Sequence, residues 1–275
     1  MFAKKIIDVR IGLGGQSPES FRDFACEATI DKVGPPDKNS ATVKLYGLSL
    51  AKMEQYTTLS FKPMESDKNL INIKAGQEGG VLYDIYFGEI SQAWADFDSQ
   101  PDPVFNIEAE TGYYPGRIIE HETAVNGSAP LSALVKQQAQ TAEYSFLNRG
   151  VTSSILNGFY HGSPIQKIVK MCREVGAELI IDDGEVIIMP EGGARNDDLP
   201  SLDKDSGLLG YPTFTQDGIS ARCIYRPDLF FGSLVEIKSI VPKASGVWKI
   251  TKLSYNLATL KSGPWECSFE GQAYE

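Results

Sequence analysis

Hydrophobic and polar residues alternate with a period of two along most of this chain. Ile7, Val9, Ile11 and Leu13 take every second position of one run, and Phe24, Cys26, Ala28 and Ile30 do so again after a Gly-rich turn. A strand with one buried face reads this way, so these runs predict a first pair of strands. Val33-Gly34-Pro35-Pro36 breaks the chain, Ala41 to Leu48 resumes a strand, and Ser49 stands where it can N-cap a short helix through about Thr57. Three further runs follow: Leu70 to Ala75, Val81 to Phe97 and Val104 to Ala109. They are separated by Gly76-Gln77-Glu78-Gly79-Gly80 and by Ser99-Gln100-Pro101-Asp102-Pro103. One short helix among six strands predicts a barrel or sandwich over residues 1–115.

The period then changes. A helix with Pro130 at its first position places Leu131, Leu134, Val135 and Gln138 on one face. A second helix carries a fuller set of signals, with Ser163 as N-cap, Pro164 at N1 and Gly176 as the stop. Ile165, Ile168, Val169, Cys172 and Val175 share its apolar face. Ala177 to Ile181 and Glu185 to Met189 then form a hairpin about Asp182-Asp183-Gly184. Residues 116–190 are therefore expected to be an α+β insert, and residues 191–207, polar and aperiodic, a linker.

Residues 208–275 return to strands and turns. Leu209-Gly210-Tyr211-Pro212, Gln216-Asp217-Gly218-Ile219 and Arg226-Pro227-Asp228-Leu229 with Gly232 punctuate the segment. Val247 to Leu257, containing Trp248, is a long β-branched and aromatic run, and Lys261-Ser262-Gly263 turns the chain. Trp265, Cys267 and Phe269 then alternate with Glu266, Ser268 and Glu270, which predicts a small antiparallel barrel with these three residues facing its core. Ile85 to Glu110 and Val247 to Glu270 each order a long strand, a Pro-containing turn and an alternating strand, a faint internal echo. The fold class is mainly β with an α+β insert.

A chain of 275 residues is expected to form two or three packed units. Its 26 Gly and 15 Pro suit an architecture rich in turns. Twenty-six basic against 36 acidic residues leave a net charge of −10, which argues against a nucleic-acid groove built on bulk charge. Cys26, Cys172, Cys223 and Cys267 are widely spaced without a Cys-x-x-Cys pair, so buried free thiols are expected and not a zinc site or disulfide framework. Met1-Phe2-Ala3-Lys4-Lys5 precedes only a short apolar stretch, and no run approaches the roughly 18 apolar residues of a membrane span. The chain is expected to be made in the cytoplasm without inserting in a membrane.

Catalytic constellations fare poorly. Asp96-Phe97-Asp98 matches a metal-holding Asp-x-Asp, yet at strand period its carboxylates share the face opposite Phe97, as a solvated strand end does. Glu108 and Glu110 interleave with Ile107 and Ala109 as surface charges do. Gly12-x-Gly14 lacks the third glycine and the long helix of a dinucleotide loop and reads as a β-turn. Asp203-x-Asp205 has Gly207 and Phe214 where a calcium loop needs oxygen ligands. His121 and His161 lie in different segments with no Gly-x-Ser-x-Gly elbow, and Asn126-Gly127-Ser128 reads as a turn. Trp94, Trp248 and Trp265 are not interleaved with Arg and Lys, so they read as strand aromatics and not as base-stacking platforms.

One resemblance gives the chain a function its chemistry does not. Leu45-Tyr46-Gly47-Leu48-Ser49 before the short helix, Ala75-Gly76 and Phe87-Gly88-Glu89-Ile90 come first. The Ser163-Pro164 helix, the hairpin ending at Pro190, Tyr211-Pro212, Gly218, Pro227, Gly232, Trp248 and Trp265 follow in order. This sequence of landmarks resembles the phage tail baseplate hub proteins with a T4-like hub fold, although Gly47 stands where Asn is expected. The resemblance implies two tail-tube-like antiparallel β-barrels flanking the insert and a homotrimeric ring that joins the hexameric tail tube to a trimeric spike. It implies a tail tube protein, a central spike protein and other baseplate proteins as partners, and DNA passing through the lumen without specific binding. The alternatives are a tail-associated cell-wall hydrolase using Glu108 or Asp96, and a stand-alone binding module. Since no residue cluster has ligand spacing, no metal or cofactor is expected. Thermal melting with and without a strong chelator should therefore coincide, and a drop of many degrees on chelation would overturn that expectation.

Overall fold

The computed structural model describes residues 4–58, 68–98, 103–118 and 120–274. The first part contains β1 (Lys5–Gly12), β2 (Glu19–Ser20), β3 (Ala25–Val33), β4 (Ser40–Tyr46), helix α1 (Leu50–Tyr56), β5 (Leu70–Gln77), β6 (Leu82–Asp96) and β7 (Val104–Glu110). The middle contains β8 (Thr123–Ala124), β9 (Ser128–Pro130), α2 (Leu131–Thr141), β10 (Ser145–Asn148), β11 (Ser154–Leu156), β12 (Phe159–Tyr160), α3 (Pro164–Glu174), β13 (Glu178–Asp182) and β14 (Glu185–Met189). The last part holds β15 (Ser201–Leu202), β16 (Leu208–Phe214), β17 (Ile219–Ile224), β18 (Leu234–Ile237), β19 (Gly246–Ala258) and β20 (Trp265–Ala273).

The strands of the first and last parts form one 13-stranded sheet, ordered β16-β17-β20-β19-β3-β4-β7-β6-β5-β1-β2, with β18 also on β19 and β15 on β18. The mainly β class read from the sequence holds, and among the described residues the hydrogen bonding runs as one open path that closes neither half into a barrel. The first two alternating runs are not partners: β1 pairs with β5 and β2, while β3 pairs with β4 and β19.

Alternation decides which faces go inward. Cys26, Ala28 and Ile30 of β3 meet Ala41, Val43 and Leu45 of β4 in the same core, which continues through Leu253, Tyr255, Leu257, Cys267 and Phe269. In β19 the pattern changes phase. Trp248 and Ile250 are buried at even positions, Leu253, Tyr255 and Leu257 at odd ones, and the ladder to β20 skips one residue between Ile250 and Lys252. A one-residue bulge at Thr251 keeps both sets on the core side of a pleat whose period is two. It also marks a change of partner, since Gly246 to Lys249 pair with β18 and Lys252 to Ala258 with β3. β6 repeats the device, pairing with β5 up to Glu89 and with β7 from Glu89 onward across a register shift at Ser91.

Local signals place the helices. Ser49 caps α1, and Ser163 with Gln166 forms a capping box on α3, whose Pro164 sits at N1. Asp183 and Gly184 turn β13 into β14 with φ of 49° and 76°, the paired positive values of a type I′ hairpin turn. Two helical expectations need correction. Pro130 is the N-cap of α2 and not its first residue, because it also ends β9. The buried face of α3 is Pro164, Lys167, Ile168, Met171 and Cys172, with Ile165, Val169 and Val175 only half-buried. Lys167 tolerates full burial because its Nζ donates to Glu120 Oε2 (2.7 Å), the His121 carbonyl (2.5 Å) and Thr123 Oγ1 (3.1 Å).

Residues 125–188 build a second core around Val135, Ile168, Met171, Val186 and Ile188. The stretch 191–207 is tied at several points: Arg195 N donates to the Gly232 carbonyl, and Leu202 is fully buried beside β18. All four cysteines are free and buried, with Cys223 directly opposite Cys267 on paired strands.

Trp265 was expected in the core but is half-buried at the start of β20, with its ring against Tyr225 (5.4 Å) and under the Lys5 ammonium (5.5 Å). Cys267 and Phe269 are the buried members of that face. Phe269→Ala should accordingly cost about 3–5 kcal/mol, Trp265→Ala clearly less, and exposed Glu270→Ala almost nothing. Urea denaturation of the three variants checks this order, and equal losses would contradict the register of β20.

Candidate functional site

The structure leaves the sequence-derived carboxylates dispersed. Glu108 is exposed, opposite Thr42 on one side and Gln92 on the other. Glu110 makes a half-exposed ion pair with Lys38 at 2.8 Å. Asp96 accepts a hydrogen bond from the Asp98 amide at 3.0 Å, a local turn. Both histidines are exposed. Asp203 Oδ1 accepts from the amides of Asp205 and Ser206, so that segment is an Asx-turn. Gly12-x-Gly14 leads into a turn closed by Gln16 N on the Leu13 carbonyl. Among the described residues no group of three or more His, Cys, Asp or Glu is arranged to hold a metal ion, and no helix is long and apolar enough to cross a membrane.

The landmark residues occupy structural positions spread along the sheet. A Cβ on Gly76 would lie 2.4 Å from the Val81 carbonyl, and one on Gly88 would lie 2.5 Å from the Tyr86 hydroxyl. Gly218 is more constrained still, since its Cβ would sit 2.0 Å from the Gly271 carbonyl. Gly232, at φ 80°, accepts from Arg195, donates to the Ile250 carbonyl and lies against Ile180. Tyr211 and Pro212 fall in the register break of β16, the free edge of the sheet. An edge is where a strand tolerates Pro. Pro164 begins α3, Pro227 follows β17 in the Arg226–Asp228 turn, and buried Trp248 donates its indole N–H to the Ala244 carbonyl at 3.1 Å.

What sequence reading missed is a buried ionic cluster where three parts of the chain meet. Lys32 Nζ contacts Asp182 Oδ1 (2.9 Å) and Asp183 Oδ2 (2.7 Å), and Arg195 pairs with Asp182 Oδ2. Asn39 donates to Asp182 Oδ1 at 2.8 Å, and Phe87 N to Asp183 Oδ1 at 2.9 Å. Two cations face two carboxylates, so the cluster is neutral. Burial works against the Lys32 ammonium, but Asp182 and Asp183 outweigh it and raise its pKa. Burial likewise penalises the Asp182 carboxylate, and Lys32 and Arg195 overcome that and hold its pKa below the usual range. A signal for Lys32 existed: Cys26, Ala28, Ile30 and Lys32 share one parity.

A further buried carboxylate lies on β6, two residues beyond Phe87. Glu89 is fully buried in β6, where its Oε1 accepts from the Tyr144 hydroxyl (2.8 Å) and its Oε2 from Tyr113 N (3.1 Å). Burial raises its pKa, and the two donors only partly offset this.

The comparisons decide what this architecture belongs to. The family described as Baseplate hub gp41 matches residues 6–263. The chain is a member of that family. Among solved structures, the hub chain is similar to the tail protein from Neisseria meningitidis MC58, with a TM-score of 0.68 at 10% identity over 98% of this chain and 96% of that one. It is similar to the 43 kDa tail protein of prophage MuSo2 from Shewanella oneidensis, with a TM-score of 0.67 at 8% identity, covering 97% and 96%. The E. coli c3393 protein also matches, with a TM-score of 0.59 at 9% identity, covering 96% and 77%. It is a type VI secretion component with structural similarity to T4 tail proteins gp27 and gp5. No curated protein matches in sequence. The family is one of structural baseplate hubs and not of enzymes, which leaves the hydrolase reading of Glu108 and Asp96 without support.

Asp182 and Glu89 titrate with opposite signs. Asp182, with its pKa lowered, stabilises the fold above the ordinary value of 3.8 and loses that contribution as pH falls through its folded pKa. Glu89, with its pKa raised, contributes stability below 4.5 that is lost as pH rises through its folded pKa. Asp182→Ala deprives Arg195 of its carboxylate and leaves buried Lys32 with Asp183 alone, and should cost about 3–5 kcal/mol at neutral pH, a gap that closes in acid. Wild type should gain on Glu89→Gln as pH falls toward 4.5. Denaturation of the three proteins across pH 3–8 checks both slopes.

Proposed function

We propose that this chain is a non-enzymatic hub subunit of a phage tail, three copies of which form a ring between the hexameric tail tube and a trimeric spike. In this reading residues 1–115 and 208–275 are the two tube-like units of each subunit, 116–190 the insert, and 191–207 the connection. The ring lines the channel through which DNA passes. The tube protein, the central spike and other baseplate proteins are its partners, and assembly takes place in the host cytoplasm before incorporation in the virion.

The observation that carries the reading is a family match over nearly the whole chain to baseplate hubs, on a sheet that ends in free edges. A head-to-tail ring needs complementary surfaces on each subunit, and unpaired strand edges offer backbone donors and acceptors for them. β16 offers such an edge, with Tyr211 and Phe214 exposed by 65% and 52%. The net charge of −10 suits a lumen that must not hold phosphates.

Native mass spectrometry, alone and with the spike protein encoded nearby, tests the assembly. The expected species has three copies of the 30.1 kDa chain, with or without the spike. A strict monomer under both conditions would overturn the ring.

A further inference from the structure

The interior of the sheet and the core of residues 125–188 do not merge. Val135, Ile168, Met171 and Ile188 belong to one cluster, and the strands of the sheet to another. The contacts between them are largely polar. At their centre the Asp182-Asp183 turn inserts its two carboxylates among Lys32 at the end of β3, Asn39 before β4, the Phe87 amide of β6 and Arg195. To one side Glu89 of β6 accepts from Tyr144, and to the other Lys249 of β19 pairs with Glu178. The apolar part of the seam is small, with Ile180, Ile187 and Met189 against Phe231.

We propose that this seam is a polar latch, able to open while the core of residues 125–188 and the main sheet both stay folded. Three arguments support it. The insert brings its own apolar cluster around α2 and α3, so only Ile180, Ile187 and Met189, against Phe231, rely on the flanking unit for burial. Interfaces of this polar kind between units of one chain ordinarily permit relative motion. Finally, the charges around the turn, Lys32 and Arg195 against Asp182 and Asp183, sum to zero, and each of these two carboxylates accepts a hydrogen bond from a neutral donor, Asn39 or the Phe87 amide. The ionic contact with the sheet is thus centred on one two-residue turn, with Glu89–Tyr144 and Lys249–Glu178 beside it. Opening pivots on the connections 111–118 and 190–200. The proposal rests on the division into insert and flanking units given above. It is independent of the trimer, because it is tested on the isolated chain.

The test is amide hydrogen exchange on Lys32→Met/Asp183→Asn. This variant removes one charge of each sign and leaves the Asp182–Arg195 pair in place. Exchange of the Phe87 amide, which donates to Asp183, and of the Arg195 amide, which donates to the Gly232 carbonyl, is expected to rise by about tenfold or more, while α3 and the β13–β14 ladder keep wild-type protection. Equal loss of protection in the insert core and the main sheet, or no change at the seam, would overturn the latch. Should the variant fail to fold, exchange of the wild-type chain under graded denaturant decides the matter. Seam amides are expected to exchange through an opening that precedes unfolding of both cores, and one common isotherm for seam, insert and sheet would refute it.

Discussion

The pairing of β19 with β3 holds the architecture together. Seven residue pairs, from Lys252 opposite Val33 to Ala258 opposite Glu27, join the first third of the chain to its last thirty residues. The bulge at Thr251 makes the joint, because it brings Leu253, Tyr255 and Leu257 into the same core as Ile30 and Val43 while Trp248 and Ile250 stay inside on the β18 side. Thr259 extends the joint beyond the strand, its hydroxyl accepting from Cys26 N and its amide donating to the Cys26 carbonyl. Everything on either side is anchored to these two strands.

The charged cluster depends on the same joint. Lys32 sits one residue from the end of β3, next to the β19 pairing, and is carried to the insert by the strand's own alternation. Gly232 lies within the same neighbourhood, where a positive φ and the absence of a Cβ let Ile180, Arg195 and Ile250 converge on its backbone. A glycine at a crowded junction of three segments thus serves assembly of the fold and not catalysis.

Local chemistry was legible in the sequence, and long-range pairing was not. Ser49, Ser163 with Pro164, and the Asp183-Gly184 turn each specify a short-range hydrogen-bond pattern, and the structure contains all three. The alternating runs gave strand positions within a few residues. Alternation carries no information about partners, however, so the two runs read as a first pair turned out to lie several strands apart. Bulges hide for the same reason, since a phase change at Thr251 looks like a loss of pattern. Lys32 was passed over because charge on a strand is ordinarily solvated, and only the fold supplies Asp182 and Asp183 to pair it. Trp265 misled in the opposite direction: its parity was right, but its place at the strand's first residue left it half outside the core.

The β3–β19 joint also sets the order of events during synthesis. β3 emerges from the ribosome more than two hundred residues before its β19 partner, and at roughly 5–20 residues per second that is a wait on the order of ten seconds or more. Until then one side of β3 offers an unpaired edge beside a buried-type face of Cys26, Ala28 and Ile30. Contacts this distant in sequence slow the final closure of the sheet, and the nascent chain meets its greatest hazard of edge-to-edge association in that interval. The insert, whose contacts are nearer in sequence, completes before the sheet that flanks it.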